Sequence, residues 1–292
     1  MAELSPRRFA LLLALTPRIG GKTLARILTR MELQGDDPAT WLRLSPEALK
    51  ESYGLNQKQI ASIAERSGAW SQTVEELERR LVEKDVRLLT LGDASFPEKL
   101  EAFDDNHPCA LFCYGNLRLL DCKSFCVLSS RNTTPKGLEQ IEKLTETGVF
   151  QSETLVVGHD RPEYQRAALV PLRWGSPRLL VFDRGIFHEL GADLSQEPFR
   201  AARLWRYQFD PKTDLAVSPF KPDARFTGAH NKTRDRLIAA LSDRLDFVEV
   251  APGGNMEALA RRGLACGRPV RVSDRAYIFS QLRELGAVPI ES

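Results

Sequence analysis

The sequence predicts an α/β protein, an open and mostly parallel sheet preceded by a small all-α helix-hairpin-helix domain. Three observations predict it. Over residues 8–83 the apolar side chains recur at helical spacing. From residue 84 onward, short apolar runs alternate with helical stretches, the pattern of parallel strands joined by crossover helices. One of those runs, Phe125-Cys126-Val127-Leu128, breaks into a turn of small and hydroxyl residues, LSSRNTTPKG, that opens a helix. Backbone N–H groups and a helix dipole converge in such turns, which is why they hold phosphate. The expected domains are 1–83 and 84–292.

The first segment, SPRRFALLLAL, has an apolar core only from Phe9 to Leu15, followed at once by Thr16-Pro17-Arg18. That is short for an export signal and far short of a membrane span, so a cytoplasmic protein is expected. Phe9, Leu12 and Leu13, then Leu24, Ile27 and Leu28, keep helical spacing on either side of an Ile19-Gly20-Gly21 turn. The glycines of a hairpin like this let a phosphodiester come close, and the helix opened by Lys22-Thr23 offers free N–H groups to it. Gly20, Gly21 and Lys22 are therefore expected as a secondary nucleic-acid contact, although Arg18 stands where such hairpins usually carry glycine. A weaker copy turns at Tyr53-Gly54-Leu55, and residues 70–83 form an amphipathic helix leading onward.

In the second region strands are expected at 86–89, 110–114, 124–128, 154–157, 178–182, 214–217, 246–250 and 269–272. Helices are expected at 135–147, 161–173, 231–242 and 255–265. Ligands of open α/β sheets bind beyond the carboxyl ends of the strands, where the LSSRNTTPKG turn falls.

The chain has 292 residues, 42% hydrophobic and 27% charged, with a formal net charge of +2. This is the composition of a globular protein, and the net charge alone does not mark a nucleic-acid binder. Its distribution says more. Residues 1–30 carry six Lys/Arg against the single acid Glu3, and residues 200–236 carry nine against four acids. Two basic islands on a near-neutral chain fit local contact with polyanions. Five cysteines include the pairs Cys109/Cys113 and Cys122/Cys126. A zinc knuckle prefers a tighter turn, and Cys113 and Cys126 lie within apolar runs, so reduced core thiols are expected. With four histidines and no ligand spacing among them, His159 reads as a hydrogen-bonded loop residue; no metal and no cofactor are expected.

Four loops would converge on one crevice: residues 129–137, residues 158–161, the basic helix from His230 to Asp243, and residues 252–257. Here the chain resembles the DprA/Smf family of DNA-processing proteins, part of a Rossmann-like superfamily shared with the lonely-guy nucleotide hydrolases. The segment LTLGDASFPEKLEAFDDNHPCALFCYGN looks like the family's approach to its Rossmann-like domain. SSRNTTPKG is similar to its G-S-R-x-x-(S/T)-x-x-G turn, with Ser130, Arg131, Thr134 and Gly137 on the pattern and Ser129 in place of the first glycine. RFTGAHNKTRDRLIAALSD looks like its F…RNR-I-A-LS segment, with Arg234 and Arg236 matching and Asp235 where asparagine is usual. PGGNMEAL lies where the family has a phosphate loop, in wording closer to the hydrolases. The family's central SG-A-G-I-D…AH loop is reduced to Gly158 and Asp160 within VVGHDRPEYQRAAL. After Val272 there is room for about one helix, so no winged-helix tail is expected and the chain reads as a divergent, shortened relative.

The resemblance implies a non-enzymatic, cytoplasmic single-stranded DNA-binding protein acting in DNA processing, recombination or foreign-DNA handling. It also implies a homodimer and a RecA-type recombinase or defence-system partner. Phosphate contacts are expected from Ser129, Ser130, Arg131, Thr134, Lys136, Gly137, Gly158, Lys232, Arg234, Arg236, Gly253 and Gly254, since guanidinium forks, ammonium groups and hydroxyls are the donors a phosphodiester takes. Trp205 and Tyr207, interleaved with Arg203 and Arg206, have the chemistry to stack bases, but their alternation is read first as packing into the core. The alternative function is a sensor of a nucleotide-derived small molecule, which as a hydrolase would use Glu257 and Arg131 as its acid and its charge stabiliser. Against hydrolysis, an acid in the first turn of a helix is favourable through the dipole with no catalytic role.

Overall fold

The computed structural model describes residues 4–67, 70–91 and 93–290. The chain forms two compact units, Met1–Phe96 with Asp105–Phe112, and Pro97–Asp104 with Cys113–Ser292. The first strand and half of the second therefore cluster with the helices rather than with the remaining strands.

In the first unit the helices are α1 (Pro6–Ala14), α2 (Gly21–Gln34), α3 (Pro38–Trp41), α4 (Pro46–Tyr53), α5 (Gln57–Ser67) and α6 (Trp70–Glu83). Three of them start the same way. Ser5, Asp37 and Ser45 each accept a backbone N–H with the side chain, and proline follows in the first turn. A short oxygen-bearing side chain satisfies an orphan donor there, and proline lacks the N–H that would otherwise go unpaired. Gly35 and Gly54 close α2 and α4 in the left-handed conformation. The apolar stripes meet in a core of Phe9, Leu13, Leu24, Ile27, Trp41, Tyr53 and Ile63. Trp41 takes Phe9 and Tyr53 edge-on, with ring centroids at 5.1 and 5.5 Å. The unit is completed by β1 (Arg87–Thr90), which lies beside the start of the next strand.

The second unit contains α7 (Lys99–Phe103), β2 (Ala110–Gly115) from its midpoint, a short 3-10 turn at Leu117–Leu120, and β3 (Ser124–Leu128). There follow α8 (Pro135–Phe150), β4 (Thr154–Val157), α9 (Pro162–Trp174), β5 (Arg178–Val181), α10 (Ile186–Leu190), α11 (Arg200–Leu204) and β6 (Leu215–Ser218). Then come α12 (His230–Leu241), β7 (Arg244–Phe247), α13 (Asn255–Ala265), β8 (Val270–Val272), α14 (Phe279–Glu284) and β9 (Val288–Pro289). The strand order is β2-β6-β5-β4-β3-β7-β8-β9. Every pairing from β6 to β9 is parallel. Strands β3 to β6 are buried along their whole length, as parallel strands covered by helices on both faces must be. Strand β9 has no counterpart in the sequence reading, because two residues carry no periodicity.

This order fixes where a ligand can enter. From β3 the chain runs outward through β4, β5 and β6, whereas from β7, the other neighbour of β3, it runs outward through β8 and β9. Crossovers leaving adjacent strands in opposite directions open a crevice between their carboxyl ends. The crevice here lies between β3 and β7.

Candidate phosphate-binding crevice

Two loops form the walls and hold each other. The Ser130 N–H donates to the Glu249 carbonyl at 2.7 Å, and the Ala251 N–H donates to Ser130 Oγ at 2.9 Å. Thr134 is the N-cap of α8: its hydroxyl accepts the Gly137 N–H at 3.1 Å and donates to Glu249 Oε1, while its N–H donates to Glu249 Oε2 at 2.9 Å. Gly137 is glycine because a Cβ there would lie 2.6 Å from Glu249 Oε1. Ser129 is buried, and its Oγ accepts from Thr133 Oγ1 at 2.8 Å. The turn is thus a rigid stitch, and Arg131 stands at its crown. Arg131 is exposed and has no hydrogen bond or ion pair among the described residues.

The floor comes from α9, α12 and α13. Tyr164 donates to Asp235 Oδ1 at 2.6 Å, and Asn255 Nδ2 donates to Asp235 Oδ2 at 3.1 Å. Gly158 leaves room for the Tyr164 ring, which a Cβ would meet at 2.6 Å. Arg161 donates to the Ser129 carbonyl at 3.2 Å and to Glu163 at 3.1 Å. Lys232 is exposed at the rim, without a partner among the described residues. Gly254 caps α13, so the first-turn N–H groups of that helix, which have no intrahelical partner, face the same space. The resulting cavity, of about 330 Å³, is lined by Ser130, Arg131, Arg161, Lys232, Asp235 and Gly254 among others.

Residues 87–161 match the family described as DNA recombination-mediator protein A. This segment is similar to the DprA family. It contains β1 to β4, the stitched turn and the Gly158 loop. Among solved structures, DprA from Streptococcus pneumoniae aligns at a TM-score of 0.72 and 19% identity, over 98% of this chain and 95% of that one. DprA from Helicobacter pylori, solved for its single-stranded DNA binding mode, aligns at a TM-score of 0.55 and 18% identity, over 72% of this chain and 93% of that one. At these identities the alignments establish a shared fold. No curated protein sequence matches the chain.

Set on this DprA fold, the residues expected to touch phosphate separate into distinct groups. Ser130, Arg131, Lys232 and Gly254 line the crevice. Gly253 stands next to it, left-handed at φ 71°, with its N–H donated to Glu257 at 2.6 Å. Ser129, Thr134, Gly137 and Gly158 shape the walls but have their polar groups or surfaces committed to Glu249 and Tyr164.

Arg234 corrects the expectation most sharply. It is 0% exposed, its Nη1 donates to Asp183 at 2.7 Å and to the His159 carbonyl at 2.9 Å, and its Nε and Nη2 donate to Asp235. Its guanidinium also lies 4.9 Å from the Tyr164 ring centre. A helix rotates about 200° in two residues, so Arg236 leaves on another side and pairs with Asp104. Lys136 borders a separate hollow with Glu139, Lys143 and Asp274.

The hairpin glycines are spoken for as well. In the first unit the Gly21 N–H donates to the His107 carbonyl at 3.1 Å, and a Cβ on Gly20 would lie 2.5 Å from Asn106 Oδ1. Small residues are needed there because the 106–107 segment lies against the start of α2, taking the N–H assigned to phosphate. Lys22 stays exposed. Arg18, at φ 68°, adopts the left-handed conformation that glycine usually supplies. Trp205 and Tyr207, read first as core, are instead 57% and 38% exposed.

Arg161, Asn231, Asn255 and Met256, which the sequence placed in the converging loops but not among the phosphate contacts, also line the crevice. The signal for Arg161 was its position, directly after the Gly158 loop and before a proline-started helix. Among the cysteines, Cys109, Cys113 and Cys126 are buried and free, and burial pushes the Cys126 thiol up to about 12.

Proposed function

We propose that the chain binds single-stranded DNA by its phosphates at the β3/β7 crevice, as a non-enzymatic member of the DprA family acting in DNA processing. One observation carries this reading: Arg131 and Lys232 are two exposed, unpartnered cations on the rim of a cavity into which the first turn of α13 directs its N–H groups. An unpaired guanidinium and an unpaired ammonium beside a helix N-terminus lack only an anion. Cations and backbone N–H groups take phosphate whatever the base, so sequence preference is expected to be weak.

Binding without chemistry is the favoured mode because the acids nearby are already engaged. Glu257 accepts the Gly253 N–H and pairs with Arg261 at 2.7 Å, contacts that hold its carboxyl below the usual carboxylate value. Glu249 is bound by Thr134, and Asp235 by Tyr164, Arg234 and Asn255. A hydrolase needs a carboxylate ready to move a proton at the reacting bond.

Fluorescence anisotropy of a labelled oligonucleotide tests the reading, with Arg131→Ala and Lys232→Ala beside the parent chain. Each substitution is expected to weaken binding several-fold at low salt and leave thermal stability unchanged. Absence of binding at low salt would overturn the proposal. A thermal shift with mononucleotides would then assign the same donors to a small ligand.

A further inference from the structure

Next to the crevice, the carboxyl ends of β4 and β5 carry a second cluster that phosphate binding does not use. His159 and Asp160 follow β4, Asp183 and Arg184 follow β5, and Glu189 lies on α10. A ring nitrogen of His159 and one carboxylate oxygen each of Asp160 and Asp183 lie within 4.8 Å of one another. His159 is 8% exposed. Its Nε2 is 2.9 Å from Glu189 Oε1, whereas its Nδ1 is buried and has no hydrogen-bond partner. With the Nε2 proton donated to Glu189, Nδ1 presents an unused lone pair. Buried polar atoms are rarely left in that state without a reason.

We propose that His159, Asp160 and Asp183 form a site for one divalent transition-metal cation of the Mn²⁺ or Zn²⁺ type, with Glu189 orienting the imidazole. The donor set argues for this class. One imidazole and two carboxylates are too few oxygens for a calcium cage, but they suit borderline cations that complete their shell with water. A carboxylate on the second ring nitrogen is the usual support of a metal-bound histidine, since it fixes the tautomer and raises the basicity of the ligating nitrogen.

Charge points the same way. Asp160, Asp183, Glu189 and Asp235 bring four carboxylates against the two guanidiniums of Arg184 and Arg234. Arg184 spans the first three of these acids at 3.2, 2.9 and 3.4 Å, and is the cation a metal must displace. It is placed to yield. Its guanidinium lies over the half-exposed Phe226 ring at 5.2 Å, and Asp183 would keep Arg234 after Arg184 withdrew along that face. The sequence alone hid the site because its third ligand comes from a different strand.

Full-length protein stripped with a chelator and titrated with Mn²⁺, with the free-ion electron paramagnetic resonance signal as readout, tests the proposal without DNA. Its outcome is therefore separate from that of the DNA reading. One Mn²⁺ per chain is expected, weakened at least ~10-fold by His159→Gln, by Asp160→Asn and by Glu189→Gln. Arg184→Met is expected to tighten binding, because it removes the competing cation. Asp160 is exposed, so its variant keeps the test decisive even where His159→Gln fails to fold. No saturable binding, or binding that Asp160→Asn leaves unchanged, would overturn the proposal, as would competition by Zn²⁺ that is independent of His159.

Discussion

At the scale of single residues, burial decides which arginine does what. Arg131, Arg234 and Arg236 look equivalent as sequence, yet Arg131 is exposed and unpartnered, Arg234 is locked between Asp183 and Asp235, and Arg236 pairs with Asp104. Removing Arg234 would leave the buried Asp235 without its cation and Asp183 with Arg184 alone. Arg234→Met is therefore expected to destabilise the chain by about 3–5 kcal/mol, measured by denaturant unfolding, because the loss of one partner strands the other. Arg236→Met, which breaks a part-exposed pair, is expected to cost less than about 1 kcal/mol in the same assay. Equal losses would mean that the arrangement around Arg234 has been misread. An unrecognised matter at this scale was Asp235: the sequence marked it as an acid where asparagine is usual, and the structure gives it three donors, Tyr164, Arg234 and Asn255.

For the elements, the deciding feature is how a turn is tied to its neighbour. The start of α8 was legible, since a threonine followed by proline announces an N-cap. Nothing local announced that Glu249, at the end of another strand, would reach across to the same threonine. Gly137→Ala tests that contact. The added methyl meets Glu249 Oε1 and the Thr133 methyl within 2.7 Å, so a loss of about 1–3 kcal/mol is expected from overpacking. Oligonucleotide affinity should fall with it, as Arg131 loses its fixed base. A variant as stable as its parent would show that the two loops are not stitched. The hairpin of the first unit teaches the converse: its glycines were read as open to a phosphodiester, but glycine also appears where another segment of chain must come close.

On the scale of the whole molecule, the charge is spent locally. The excess in residues 1–30 goes largely into the helical unit itself, where Arg7 donates to the Leu88 carbonyl, Arg8 pairs with Glu78, Arg18 donates to Ser62 and Arg26 donates to the Gly54 carbonyl. Of the nine in residues 200–236, Arg234 is buried, Arg236 pairs with Asp104, Arg203 donates to the Glu197 and Pro198 carbonyls, and only Lys232 is an exposed cation lining the crevice. Binding should therefore depend on few phosphates. The slope of log affinity against log salt is expected to shrink by about 0.7 for each of Arg131 and Lys232 removed, the single-strand value per phosphate. An unchanged slope in the double variant would place the DNA elsewhere, with the exposed Trp205, Arg206 and Tyr207 surface the next to examine. Among the described residues no helix is long and apolar enough to cross a membrane.

The sequence by itself determined the α/β class, eight of the nine strands among the described residues, the four long crossover helices α8, α9, α12 and α13, and the turn that carries Arg131. These follow from periodicity, capping and turn chemistry, which act over a few residues and leave their mark in order along the chain. Tertiary structure alone decided which strand ends became neighbours, and through them which cations stayed free, which glycines were occupied and which carboxylates gathered around His159. Those outcomes depend on contacts between residues a hundred or more positions apart, such as Ser130 with Ala251, and on the desolvation that accompanies them. Burial converts an arginine from a ligand contact into a structural ion pair, and burial is a property of the assembled fold.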